Sequence, residues 1–179
     1  MKYLDRQPLI GINPDPARWD GILLPFEAGQ AEAVLAKTIA GNHAAKKITM
    51  AQAITQDGQC MLAVNELFIG QRTHVSARYD ITWNRRTEHQ SSSGIIVSTG
   101  LGSTGWYRSV ITQAAGIAHA FLGKEFSASR LSWEDDRLTF VVREPFPSRS
   151  TRTDIVFGEI AGKDDFRILS KMSGNGVIF

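Results

Sequence analysis

Two stretches carry residue types whose chemistry has to be accounted for. The first is Met61-Leu62-Ala63-Val64-Asn65-Glu66-Leu67-Phe68-Ile69, an apolar run with an amide and a carboxylate at its centre. Neighbouring side chains of a regular strand face opposite sides. Glu66 then shares a face with Val64 and Phe68, and Asn65 shares one with Ala63, Leu67 and Ile69, so at least one of the pair interrupts a buried row. A carboxylate buried without a partner costs several kcal/mol, and such a residue is expected to hold a donor, a bulge or a ligand hydroxyl. The plainer alternative is a strand end open to water, with Glu66 solvated.

The second stretch is Gly94-Ile95-Ile96-Val97-Ser98-Thr99, which runs into Gly100-Leu101-Gly102-Ser103-Thr104-Gly105 and a long helical pattern. Read literally, Gly100 to Gly105 is G-x-G-x-x-G between a strand and a helix, the dinucleotide pattern in its usual context. Glycines permit close backbone approach, and the unpaired N–H groups of a helix start attract anions. Ser103 and Thr104 are expected to add hydroxyl donors and an N-cap. The surroundings oppose a Rossmann unit: the preceding strands read as antiparallel hairpins, no βαβαβ alternation follows, and Glu134 lies too far along to serve a ribose. No Gly-Lys-Ser/Thr follows either, so this is not a P-loop. A tight turn with a well-capped helix is the bland reading.

Other chemistry-bearing residues are scattered. His43, His74, His89 and His119 lack ligand spacing, and no metal site is expected. Asp135-Asp136 reads as a hairpin turn. Arg85-Arg86 and Arg149 with Arg152 could meet phosphate, although exposed arginines are usually just solvated. The single cysteine, Cys60, excludes an internal disulfide and a multi-cysteine zinc site, and suits a reducing compartment.

The elements that must position these residues are mostly strands. Leu9 to Ile12 reads as a short buried strand, and Asn13-Pro14-Asp15-Pro16 as a turn. Gly29 to Ala40 has helical spacing, with Gly41-Asn42 as its stop. Ile48 to Ile54 and Met61 to Ile69 form an expected hairpin across Gln56 to Gln59. Arg78 to Trp83 follows as a strand, Arg85 to Ser93 as a polar tip, and Gly94 to Ser98 as a buried strand. Thr104 to Leu122 is the strongest helix, with Val110, Ala114, Ile117, Ala118 and Phe121 on one stripe. Arg130 to Trp133, Leu138 to Val142, Asp154 to Phe157 and Phe166 to Leu169 complete the strands. The fold class is mainly β with α (α+β), largely antiparallel, with two helices.

With 179 residues, 42% of them hydrophobic, the chain suits one domain, or one domain plus an incomplete second. Twenty Lys and Arg against 18 Asp and Glu give a net charge of +2, too balanced for a dedicated nucleic-acid binder. No apolar run is long enough to span a bilayer, and the first residues lack the apolar core of a signal peptide, so a cytoplasmic protein without a membrane partner is expected. Both ends read as cut, Leu9 arriving with little to pair against and Gly176 to Phe179 ending on an apolar run.

Taken together, these pieces resemble the NAD kinase family, within the superfamily that includes diacylglycerol and sphingosine kinases. Leu9-Ile10-Gly11-Ile12-Asn13 is similar to the family's "GIN" strand, with Gly21-Ile22-Leu23 in the place of a following Gly-Phe-Leu. Asn65-Glu66 resembles its "NE" motif. Gly94 to Thr99 followed by Gly102-Ser103-Thr104-Gly105 resembles its "DGLIVSTPTGSTAY" run. The resemblance implies an N-terminal α/β domain, of which residues 1–26 would be the tail, and an antiparallel β-sandwich C-terminal domain over 27–179. It implies transfer of a phosphoryl group from ATP or polyphosphate to the 2′-hydroxyl of NAD, with magnesium on the phosphates, in a homo-oligomer. Asn65 and Glu66 would hold the adenosine, and Ser103, Thr104, Gly105, Trp106 and Ser109 would line the nucleotide pocket. Three departures stand out. The family's Gly-Gly-Asp-Gly, whose aspartate is the expected base, does not occur, and no catalytic residue is assigned. Ser93 replaces an aspartate, and Trp106 replaces the tyrosine that stacks on the nucleotide. A lipid or sugar kinase of the same superfamily, or a non-catalytic nucleotide-binding module, are the alternatives.

Overall fold

The computed structural model describes residues 7–127, 131–162 and 164–179. These fall into two compact units, one within Tyr3–Lys47 and one within Ile48–Phe179. The domain boundary expected at 26/27 lies inside the first unit.

In the first unit, β1 (Ile12–Asn13) pairs in parallel with β2 (Phe26–Glu27). The buried strand expected over Leu9 to Ile12 is therefore corrected: pairing begins only at Ile12, whose partner strand is two residues long, and Leu9 is exposed. Asn13 is the only fully buried residue among the unit's described ones. Its Oδ1 accepts the Asp15 N–H at 3.1 Å and its Nδ2 donates to the Trp19 carbonyl at 2.9 Å, which is the Asx chemistry expected of this turn. Helix α1 (Ala31–Ile39) follows a single 3₁₀ turn and stops at Gly41, whose φ of +74° a side chain would resist.

The second unit opens with the hairpin of β3 (Ala51–Ile54) and β4 (Cys60–Ala63), a two-stranded sheet of its own turning at Gly58. The strand expected to run unbroken from Met61 to Ile69 is split. β4 ends at Ala63, and β5 (Glu66–Gln71) begins in a different sheet. The remaining elements are β6 (Ala77–Trp83), β7 (Arg86–Ser92), β8 (Ile95–Ser98), α2 (Trp106–Leu122), β9 (Arg137–Val142), β10 (Phe157–Ala161), β11 (Phe166–Ser170) and β12 (Gly176–Ile178).

Two antiparallel sheets organise them, one in the order β10-β9-β8-β5-β12 and one in the order β11-β6-β7. Alternation along β5, β8 and β9 explains why Leu67 to Ile69, Ile95 to Val97 and Phe140 to Val142 are apolar without a break. Leu67, Ile95, Val97, Phe140 and Val142 on one face join Ala77, Tyr79 and Ile81 of the smaller sheet in the main core. Phe68, Ile96 and Val141 on the opposite face pack against Tyr107 of α2. A strand covered on both sides needs no polar face.

Several expectations fail for identifiable reasons. Arg85 to Ser93 is not a polar tip: Asn84 and Arg85 form a two-residue turn, both with positive φ, and β7 runs back along β6. Its inward side chains are polar and hydrogen-bonded, except that Glu88 Oε1 has no hydrogen-bond partner and meets only the Arg86 guanidinium, at 3.7 Å. Gln90 lies within reach of the Tyr79 hydroxyl at 3.2 Å and donates to Glu88 and to the Ile155 carbonyl, both at 3.0 Å. Glu88 in turn accepts the N–H groups of Asp154 and Ile155 at 3.2 and 3.0 Å, which keeps those two residues out of β10. Residues 131–133 are not a strand, because the Ser132 backbone is pressed against Gly100; Arg130, the first residue of that expected strand, lies outside the described residues. The long helix begins at Trp106 rather than Thr104, and its stripe is only partly covered. Trp106, Val110 and Ile111 pack on the sheet, while Ile117 and Phe121 are exposed.

On the outer face of the smaller sheet, Asp80 accepts from His89 at 2.9 Å and pairs with Lys171 at 3.0 Å. Partial burial raises the Asp80 pKa, but the His89 and Lys171 contacts outweigh it and hold the carboxyl below its ordinary 3.8. A depressed carboxylate contributes stability above its unfolded pKa and loses it as pH falls through the folded one. Asp80→Asn is therefore expected to cost about 1 kcal/mol or less at neutral pH, as befits an exposed pair, and nothing once the pH is well below 3.8. Urea unfolding at the two pH values reads the difference, and an equal cost at both would remove the ion pairs as its cause.

Candidate functional site

The break between β4 and β5 and the glycine turn after β8 are brought together. Glu66 lies opposite Ser98 in the sheet, so the polar pair and the turn sit at the same end of adjacent strands. The turn folds back on the break through Thr99, whose N–H donates to the Asn65 carbonyl at 2.9 Å. Gly102 lies so close that a Cβ there would meet the Asn65 carbonyl oxygen at 2.0 Å, and one on Gly100 would meet the Ser132 oxygen at 1.8 Å. These two glycines serve backbone-to-backbone packing within the protein.

Gly105 differs. A Cβ there would lie 3.4 and 3.6 Å from the two carboxylate oxygens of Glu66, an ordinary contact. The Glu66 carboxylate thus sits against the first residues of α2. Its Oε2 is buried and has no hydrogen-bond partner. Burial pushes the Glu66 pKa above its ordinary 4.5, and a hydrogen bond from the Trp106 backbone N–H offsets only part of this. A carboxylate left short of donors at a helix start is a site that a ligand with hydroxyl or amino donors would complete. It also changes what the helix start attracts. With an acid already on the Trp106 N–H, a phosphate placed there would face a like charge.

The other sequence-chosen residues are placed as follows. Asn65 is exposed beside Glu66, with its carbonyl taken by the turn. Ser103 is buried and its hydroxyl donates to the Gly100 carbonyl at 2.7 Å, so it neither caps α2 nor offers a free donor. Thr104 is half-buried and closes a 3₁₀ turn; Gly105 is the N-cap residue, and the side chain on the first helical N–H is that of Glu66 rather than of Ser103 or Thr104. The expected Ser/Thr N-cap is thereby corrected, because the 3₁₀ turn sends the Gly105 N–H to the Gly102 carbonyl at 2.8 Å. Ser109 is exposed one turn into the helix. Trp106 stacks on Phe68, with ring centroids 5.3 Å apart, and carries the Arg143 guanidinium 4.9 Å from its ring centre. Its indole is engaged by the protein's own residues.

Sequence reasoning overlooked Thr99, Phe68 and Arg143 as parts of this neighbourhood. The polar end of an otherwise apolar strand, Ser98-Thr99, was the available signal for the first. Among the described residues no group of three or more His, Cys, Asp or Glu could hold a metal ion. No helix among the described residues is long and apolar enough to cross a membrane.

With its antiparallel sheets and the long helix that follows the glycine turn, the chain has the fold of NAD kinases. Two solved structures carry this likeness. Yeast NADH kinase complexed with NADH superposes with a TM-score of 0.59 at 17% identity, over 87% of this chain and 39% of that one. An NAD kinase from Archaeoglobus fulgidus in complex with ATP gives 0.62 at 16% identity, over 96% of this chain and 58% of that one. The chain therefore spans about two-fifths and somewhat over half of their lengths. No protein-family model and no curated protein sequence matches the chain.

Proposed function

We propose that the chain is the nucleotide-holding part of an NAD kinase-like phosphotransferase, built on the family's β-sandwich C-terminal domain. The observation that carries the reading is the buried, unpartnered Oε2 of Glu66 beside Gly105. Asn65 and Glu66 supply acceptors and an amide suited to the hydroxyls and amino group of an adenosine, while the like charge turns phosphates away from the start of α2. The phosphoryl donor, ATP or polyphosphate, would lie elsewhere, with magnesium carried on its phosphates. The fold neighbours crystallised with NADH and with ATP support nucleotide ligands for this fold. Self-association belongs to the same reading and is supported by the exposed apolar end of α2.

A second reading has its own observation. No Gly-Gly-Asp-Gly occurs in the sequence, and Ser93 stands where the family has an aspartate. A nucleotide-binding module without turnover accounts for both.

Calorimetric titration of the full chain with NAD and with ATP tests the site. NAD is expected to bind the wild type, and Asn65→Ala to weaken it by about tenfold or more, the worth of a lost hydrogen-bonding anchor. Unchanged affinity in that variant would sink the assignment of the pair. Phosphate transfer to NAD, followed with labelled ATP, separates the two readings.

A further inference from the structure

Thr99 ends β8 and is completely buried, at 0% exposure. Its hydroxyl donates to the Val64 carbonyl and lies 3.0 Å from the Asn65 carbonyl, and its N–H donates to that same Asn65 oxygen at 2.9 Å. The hydroxyl also accepts the Gly102 N–H at 3.0 Å. One side chain thereby ties both carbonyls of the β4–β5 break to the glycine turn that leads into α2.

We infer that Thr99 is the positioning residue of the candidate site: through its hydroxyl it holds the Asn65-Glu66 segment in place against the start of α2. Three observations converge on this role. The break is where β4 leaves one sheet and β5 enters another, so no ladder of its own fixes residues 64 and 65. The turn residue Gly102 sits against the Asn65 backbone with no space for a side chain, so a small shift of one moves the other. The Glu66 carboxylate accepts the Trp106 backbone N–H and lies beside Gly105, three residues beyond Gly102 in the same turn. Thr99 itself is sealed from solvent and meets no ligand; it acts through Asn65 and Gly102. The identity of the ligand rests on the nucleotide reading above, whereas the positioning role rests on the geometry alone.

Valine matches threonine in shape but lacks the hydroxyl, and serine keeps the hydroxyl without the methyl. The test compares Thr99→Val and Thr99→Ser with the wild-type chain in two measurements: calorimetric NAD binding, and the titration of Glu66 followed by carboxyl carbon NMR. Thr99→Val is expected to weaken NAD by about tenfold or more, while Thr99→Ser stays within about threefold. The Glu66 midpoint is expected to move down toward the ordinary glutamate range in the valine variant and to hold in the serine variant. A purely structural role would lower the melting temperature without moving that midpoint, and this result would overturn the inference. If NAD fails to bind the wild type, the nucleotide reading falls and the Glu66 titration alone decides for or against Thr99. If the valine variant does not fold, hydrogen exchange of the Gly102 amide decides. Slow exchange in both the wild type and the serine variant supports the inference, and fast exchange in either overturns it.

Discussion

Gly102→Ala is expected to cost the larger unit about 3 kcal/mol or more and to remove ligand binding with it. The added methyl would stand 2.0 Å from the Asn65 carbonyl oxygen and 2.5 Å from its carbon, both backbone atoms with no rotamer to escape into. Relief requires the turn to back away from the break, and that separates Glu66 from the start of α2. Gly100→Ala faces a similar collision with the Ser132 carbonyl. Gly116→Ala is the control, because nothing lies within 4 Å of a Cβ there and the residue sits inside α2. It should be neutral or stabilise by up to about 1 kcal/mol, the ordinary helix preference for alanine. Urea unfolding of the three variants measures this, and a wild-type midpoint for Gly102→Ala would show that the turn does not pack on Asn65.

Glu66→Gln is expected to act in opposite directions on stability and on binding. A carboxyl whose folded pKa is raised binds its proton more tightly in the folded state. Stability is then highest below the ordinary value of 4.5 and falls as pH rises from there through the folded pKa. Glutamine keeps the shape and removes the charge. The variant should be more stable than the wild type at pH 7, and the stability loss above 4.5 should flatten. Its NAD affinity should fall roughly 10- to 100-fold, since a neutral amide replaces a charge-assisted acceptor. Thermal unfolding between pH 4 and 8 and calorimetry read the two effects. A variant that is less stable at neutral pH would mean that the Glu66 carboxylate is already satisfied within the protein. Stability conceded at one residue for the sake of a ligand is a common mark of a functional position.

How much of this could be read from the chain differs from residue to residue. The apolar strand from Ile95 to Ser98 is unambiguous because it is covered on both faces, and the Asn65-Glu66 pair is conspicuous because polar groups in an apolar run demand an explanation. The break between β4 and β5 is hidden, since apolar residues continue on both sides and only the partner strands, far away in sequence, differ. β7 looks like a loop because its inward residues Glu88, Gln90 and Ser92 are polar; their hydrogen bonds run to Tyr79 on the neighbouring strand and to the backbone at Ile155, neither of which a local pattern displays. The glycine turn misleads in a subtler way. Its spacing reads as room for a ligand, yet Gly100 and Gly102 are filled by the protein's own carbonyls, and only Gly105 adjoins the open acceptor. Ser103 and Thr104 have the right types for a cap, but a 3₁₀ turn took the N–H group they would have served.

The pairing of β5 with β12 has a kinetic consequence. Phe68, which carries the Trp106 ring, exchanges both backbone hydrogen bonds with Phe179, at 2.7 and 3.0 Å. Its other neighbour, β8, is some thirty residues away, so both contacts that immobilise it are distant along the chain. Closing such loops is entropically slow, whereas the β3–β4 and β6–β7 hairpins need only their own short turns. During folding the hairpins can form early, and the floor beneath Trp106 is laid only when the last strand arrives.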